Sequence, residues 1–126
     1  MNKMDVIKEA VKRFKDNGDG IYFLYDDFLS GDAARLYVIK NKEVVSEAQP
    51  WCFETYNYYG NGSPCGIVPT LRSMIKENPE FTVNVANIAN YTFSGEWKVT
   101  DKYVDTLKKY KIESKIIDIK DVLEFF

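Results

Sequence analysis

Ile7, Ala10, Val11 and Phe14 recur at spacings of three and four, Asn17-Gly18 ends the pattern, and the apolar run Ile21-Tyr22-Phe23-Leu24-Tyr25 follows almost at once. Within a few residues the repeat changes from that of an amphipathic helix to that of a strand. A helix over residues 3–16 with one apolar stripe must bury that stripe, and the strand beside it offers the nearest surface. The chain is thereby directed toward helices packed on a sheet.

The rest of the sequence continues that theme. After a turn-rich break at residues 26–32, Ala34, Leu36 and Val38 alternate with Arg35, Tyr37 and Ile39, Asn41-Lys42 punctuates the run, and Val44-Val45 resume it. Consecutive antiparallel strands are expected there. A further strand is expected over residues 51–58, then a loop over 59–69 with three Gly and two Pro, then a short helix over 70–77 stopped by Asn78-Pro79. Strands are also expected at 81–85 and 91–99. Thr100 or Asp101 should cap a helix built on Tyr103, Val104, Leu107 and Tyr110, with Lys108-Lys109 suiting its C-terminal end. A strand at 112–117 and a helical turn at 121–126 complete the pattern. The expected fold is α+β: a mainly antiparallel sheet with an N-terminal helix and two or three further helices packed on it. Residues 1–126 read as one domain, long enough to bury roughly two-thirds of the surface of the unfolded chain.

Composition excludes several chemistries. The chain has no His, which removes Ser-His-Asp and Cys-His units and every His-containing zinc site. Its two cysteines, Cys52 and Cys65, are too few for an all-cysteine zinc site, and read as small buried hydrophobes. With 17 Lys+Arg against 19 Asp+Glu, the net charge of −2 marks neither a DNA or RNA binder nor a nucleic-acid mimic. No apolar run resembles a secretory signal or spans a bilayer, so a cytoplasmic protein without a membrane partner is expected. The sequons Asn61-Gly62-Ser63 and Asn90-Tyr91-Thr92 carry no weight in that compartment.

Three places can carry chemistry. The loop Gly60-Asn61-Gly62-Ser63-Pro64-Cys65-Gly66 fails the dinucleotide fingerprint by one residue and lacks the Lys of a P-loop. It still leads into a helix whose first residues, Thr70 and Arg72, would offer amides and a guanidinium to an anion such as a pyrophosphate. The alternative is an ordinary turn with a solvated arginine. Asp26, Asp27 and Asp32, with Glu54 from a later strand, would suit one or two Mg²⁺ ions in a phosphodiesterase or nuclease, and equally suit ordinary turn chemistry. Asp16-Asn17-Gly18-Asp19-Gly20 departs from a calcium loop at its third and sixth positions.

The aromatics are the third place. They make up 15% of the chain, with Trp51, Phe53, Tyr56, Tyr58 and Tyr59 before the glycine loop and Phe81, Tyr91, Phe93 and Trp97 after the helix. Tyrosines on both faces of one strand cannot all be buried in a small sheet, so some face a ligand or a partner. Rings beside Asn carboxamides suit a purine, with Tyr56, Tyr59, Phe81 or Tyr91 stacking the base and Asn87 or Asn90 bonding its edge. A homodimer interface uses the same residue types.

The aromatic, Asn-rich stretch Phe81-Thr82-Val83-Asn84 through Tyr91-Thr92-Phe93-Ser94-Gly95-Glu96-Trp97, the small size and the lack of His resemble the phage-encoded Thoeris anti-defence proteins. The resemblance implies a cytoplasmic homodimer or higher homo-oligomer that captures a cyclic ADP-ribose signal of a bacterial TIR-domain enzyme without cleaving it. It implies no catalytic residue, no metal and no cofactor. Two alternatives from other classes remain open: a small inhibitor that docks onto a host protein in the manner of an anti-CRISPR, and the metal-dependent phosphodiesterase described above.

Overall fold

The computed structural model describes residues 3–26, 33–49, 66–87 and 102–117. Helix α1 (Lys3–Asn17) leads into β1 (Gly20–Asp26), followed by β2 (Ala33–Lys40) and β3 (Glu43–Ala48). Helix α2 (Ile67–Glu77) then precedes β4 (Val83–Asn87), and α3 (Lys102–Lys109) precedes β5 (Ser114–Ile116). The expected strands at 51–58 and 91–99 and the helical turn at 121–126 lie outside the described residues.

The fold is α+β, built on a five-stranded mixed sheet in the order β3-β2-β1-β4-β5. The longest ladder is antiparallel, Asp26↔Ala33 through Gly20↔Ile39, and β3 continues that meander. Asn41 and Lys42 both take positive φ, 53° and 63°, as the two-residue hairpin between β2 and β3 requires. With β2 on one edge of β1, the other edge remains for β4, which returns through α2 and therefore runs parallel to β1. β5 joins β4 in the same sense after α3.

β1 is covered on both faces, which is why its run reads as continuously apolar. Ile21 and Phe23 pack with Leu36, Val38, Val83 and Val85 against Ile67, Val68, Leu71 and Met74 of α2 and Val104 and Leu107 of α3. Tyr22 and Leu24 point the other way and pack with Tyr37, Ile39 and Ala86 against Ile7, Ala10 and Phe14 of α1. The period-2 alternation thus places α1 on one face and α2 with α3 on the other.

Several boundaries differ from those expected, each for a local reason. α2 starts at Ile67, not Thr70, because Pro69 lies in its first turn, where a missing N–H costs no ladder bond. Asn78 closes that helix, its backbone N–H and its Nδ2 both donating to Met74 O, at 2.9 and 3.0 Å. Phe81 N–H donates to Asn78 O in the following turn at 3.0 Å, so pairing with β1 begins only when Ile21 N–H reaches Thr82 O at 2.9 Å, and β4 starts at Val83. At the end of α3, Ile112 N–H reaches Leu107 O and Lys111 N–H reaches Lys108 O with Lys111 at φ 65°, a Schellman ending in a residue other than glycine. Among the described residues no helix is long and apolar enough to cross a membrane.

Candidate functional site

One transverse row of the sheet organises the α1 face. Tyr37 pairs with Tyr22, Tyr22 with Asn84, and Asn84 with Lys115, so these four side chains stand side by side. Helix α1 covers the aromatic half of the row: the Phe14 ring stacks on Tyr22 at 4.6 Å and 21°, and meets Tyr37 at 6.4 Å. Beyond Tyr22 a cleft of about 620 Å³ opens over Asn84 and Lys115. Arg13, Asp16 and Asn17, at positions i, i+3 and i+4 on the last turn of α1, form one wall, and Asp19 extends it. Thr82, Ile116 and Ile117 complete the lining.

The corner between α1 and β1 is fixed by hydrogen bonds. Gly18 takes φ 117°, a conformation that favours glycine, and the Tyr22 hydroxyl donates to its carbonyl at 2.6 Å while accepting from Asn17 Nδ2 at 3.0 Å. Asp19 Oδ1 accepts the Asn41 N–H of the β2–β3 hairpin at 2.8 Å, tying that turn to the cleft wall. Burial pushes the Tyr22 phenol above its ordinary pKa, the Asn17 hydrogen bond partly offsets this, and the charge of Asp19 adds to the rise.

That shift predicts a pH dependence. Because the folded state keeps the Tyr22 proton to higher pH than the unfolded chain, the unfolded state binds fewer protons above about pH 10. Stability is therefore complete below that pH and falls above it. Tyr22→Phe should cost about 1–2 kcal/mol at neutral pH through the lost bond to Gly18 O, and should flatten the alkaline fall. Urea titrations of both proteins between pH 8 and 11 test this, and parallel curves would refute it.

Asn84 is the buried polar side chain of the cleft, 5% exposed. Its Nδ2 lies 3.2 Å from Ile21 O and 3.2 Å from Thr82 O. Two carbonyl oxygens can be satisfied only by the amino end of a carboxamide, so the orientation is fixed by its surroundings. Gly20 makes room for it: a Cβ there would lie 2.9 Å from Asn84 Nδ2 and 3.3 Å from Thr82 O. A second hollow of about 310 Å³, lined by Pro79, Phe81, Glu113 and Ser114 among others, shares Thr82 and Lys115 with the cleft.

The residues nominated from sequence fall in four places. Phe81 is half-buried against the α2–α3 core and forms part of the second hollow, next to the cleft. Thr70 and Arg72 lie on α2, on the other side of the sheet from α1, and both have local partners. Thr70 Oγ1 donates to Gly66 O at 2.7 Å, while Arg72 Nη2 donates to Tyr110 O at 3.2 Å with its guanidinium 6.0 Å from the Tyr110 ring centroid. The Thr70 N–H also bonds Gly66 O, at 3.3 Å, so the amides expected to be free after Pro69 begin inside the helical ladder. Asn87 ends β4 at the opposite end of that strand from the cleft. Tyr56, Tyr59, Asn90 and Tyr91 lie outside the described residues, as do Asp27, Asp32 and Glu54. Among the described residues no three His, Cys, Asp or Glu come together as a metal site.

Sequence reasoning missed the cleft. Its signal was Asn84 itself, a carboxamide between Val83 and Val85 in an otherwise apolar strand, together with the polar corner Asp16-Asn17-Gly18-Asp19. The chain matches no protein-family model, no curated protein and no solved structure.

Proposed function

We propose that this protein is a non-catalytic binding protein that sequesters a small nucleotide. On the resemblance to the Thoeris anti-defence proteins, the nucleotide is a cyclic ADP-ribose signal and the protein acts in the cytoplasm of a bacterial host, as a homodimer or higher homo-oligomer. The observation that carries the reading is the cleft beside α1, whose volume of about 620 Å³ is within the range of small-molecule sites. It combines a buried carboxamide with the cationic side chains of Arg13 and Lys115 and the carboxylates of Asp16 and Asp19. Such a set suits a ligand with an anionic phosphate and several hydrogen-bonding edges. Sequestration asks only for complementarity, so no proton shuttle is required.

Thermal denaturation with linear and cyclic nucleotides, cyclic ADP-ribose isomers included, followed by mass spectrometry of the heat-released compound, tests the proposal. A nucleotide at a hundred times its dissociation constant should add about 2.7 kcal/mol of stability, a shift of several degrees, and be recovered intact. Recovery of a cleaved product would overturn the non-catalytic reading. Failure of every nucleotide would favour the protein-docking alternative, which is served by Val45 on β3 and Ile116 on β5, 55% and 43% exposed on the outer strands of the described sheet.

A further inference from the structure

Among the described residues, two buried side-chain atoms have no hydrogen-bond partner: Arg35 Nε on β2 and Ser114 Oγ at the start of β5. Arg35 lines neither of the two openings described above, whereas Ser114 lines the second hollow. A buried hydroxyl without a partner destabilises the fold, so native structures seldom keep one that neither the chain, water nor a ligand satisfies. The hollow, about 310 Å³ and at the lower end of small-molecule sites, is formed where the chain enters β4 and β5, from residues 79–82 and 113–115. None of that lining belongs to α2 or α3. Phe81, half-buried, lines the same hollow. Thr82 and Lys115 border both the hollow and the cleft, so the two openings meet at the end of the sheet where β1, β4 and β5 begin.

We infer that the hollow is the base subsite of the nucleotide site: the purine stacks on Phe81 and bonds Ser114 Oγ, the phosphates lie at Lys115, and the rest of the ligand occupies the cleft. The inference rests on the nucleotide reading above and deepens it. Water does not reach Ser114 Oγ in the free protein, so the hydroxyl meets the ligand by turning about χ1, a single bond with three staggered wells. A hydroxyl both donates and accepts, so either a ring nitrogen or an exocyclic group of the purine satisfies it. The Phe81 ring supplies the larger share of the affinity, because a stacked base is worth more than one neutral hydrogen bond. In ADP-ribose the pyrophosphate stands between the adenosine and the second ribose, as Lys115 stands between the hollow and the cleft. Ser114 thus lowers the stability of the free protein and raises its affinity for the ligand.

Ser114→Ala tests this by moving two quantities in opposite directions. Thermal denaturation of the free variant should give a melting temperature about 2–5 °C above that of the parent, since the unpaired hydroxyl is gone. Calorimetric titration should show ADP-ribose bound about 3- to 10-fold more weakly. Ribose 5-phosphate, which lacks the base, should bind parent and variant within about 2-fold of each other. Phe81→Leu keeps an apolar side chain against the core and should weaken ADP-ribose binding by about 10-fold. In NMR of the unmodified protein, the adenine H2 and H8 of bound ADP-ribose should show nuclear Overhauser contacts to the Phe81 ring. Parental ADP-ribose affinity in either variant, or a Ser114→Ala protein no more stable than the parent, would overturn the base subsite and leave the nucleotide reading standing. Binding of neither ADP-ribose nor any cyclic ADP-ribose isomer would overturn both.

Discussion

Phe14→Ala is expected to destabilise the protein by about 3–5 kcal/mol and to lower its melting temperature by roughly 10–20 °C. The ring is fully buried, stacks on Tyr22 at 4.6 Å and meets Tyr37 at 6.4 Å, so it is the main contact by which the C-terminal half of α1 is seated on the sheet. Removing it leaves a cavity beneath the turn that carries Arg13, Asp16 and Asn17. The loss is therefore double. Nucleotide affinity should fall as well, because one wall of the cleft is built from that turn. Equilibrium urea denaturation gives the first quantity, and titration with ADP-ribose below the transition gives the second. Lys12→Ala, an exposed substitution two residues earlier in the same helix, should stay within about 0.5 kcal/mol. A Phe14→Ala protein within 1 kcal/mol of the parent would show that α1 is held by other contacts.

The helix–sheet framework was legible because its signals are local and periodic. Ile7, Ala10 and Phe14 announce α1, and the alternation through Ala34, Leu36 and Val38 announces β2, since burial on one face enforces each repeat. Strand order was less legible. That β4 lies beside β1 follows from which edge the β2–β3 hairpin leaves open, a property of pairing that no short window contains. The candidate site was legible only in part. Phe81 was chosen for its ring and stands in the hollow adjoining the cleft, whereas Arg72 was chosen for its charge and is engaged with the C-terminal end of α3. Charge and ring identify a residue's capacity, but its partners are set by elements far away in sequence. Asn84 meets Ile21 across 63 positions, and Arg72 meets Tyr110 across 38. Those separations explain why the cleft was invisible to a reading that looked for glycine loops and clustered aromatics.

Leu71→Ala supplies the complementary expectation. Leu71 is fully buried in the core that α2 shares with α3 and the opposite face of the sheet, and its truncation should cost about 3–5 kcal/mol, as much as Phe14→Ala. The cleft lies on the other face, beyond a sheet whose strands keep their register through the backbone. Affinity for ADP-ribose, measured below the transition, should stay within about 2-fold of the parent, since sites with no shared contacts couple weakly. The pair of substitutions thus separates two locations for the site. If the nucleotide sits beside α1, stability falls in both variants and affinity falls only in Phe14→Ala. If it sits at the N-terminal end of α2, near Thr70 and Arg72, the pattern reverses, because Leu71 lies between those two residues and its loss loosens the turn that carries them. Equal stability losses with opposite binding outcomes would therefore assign the ligand to one face of the sheet without any knowledge of its pose.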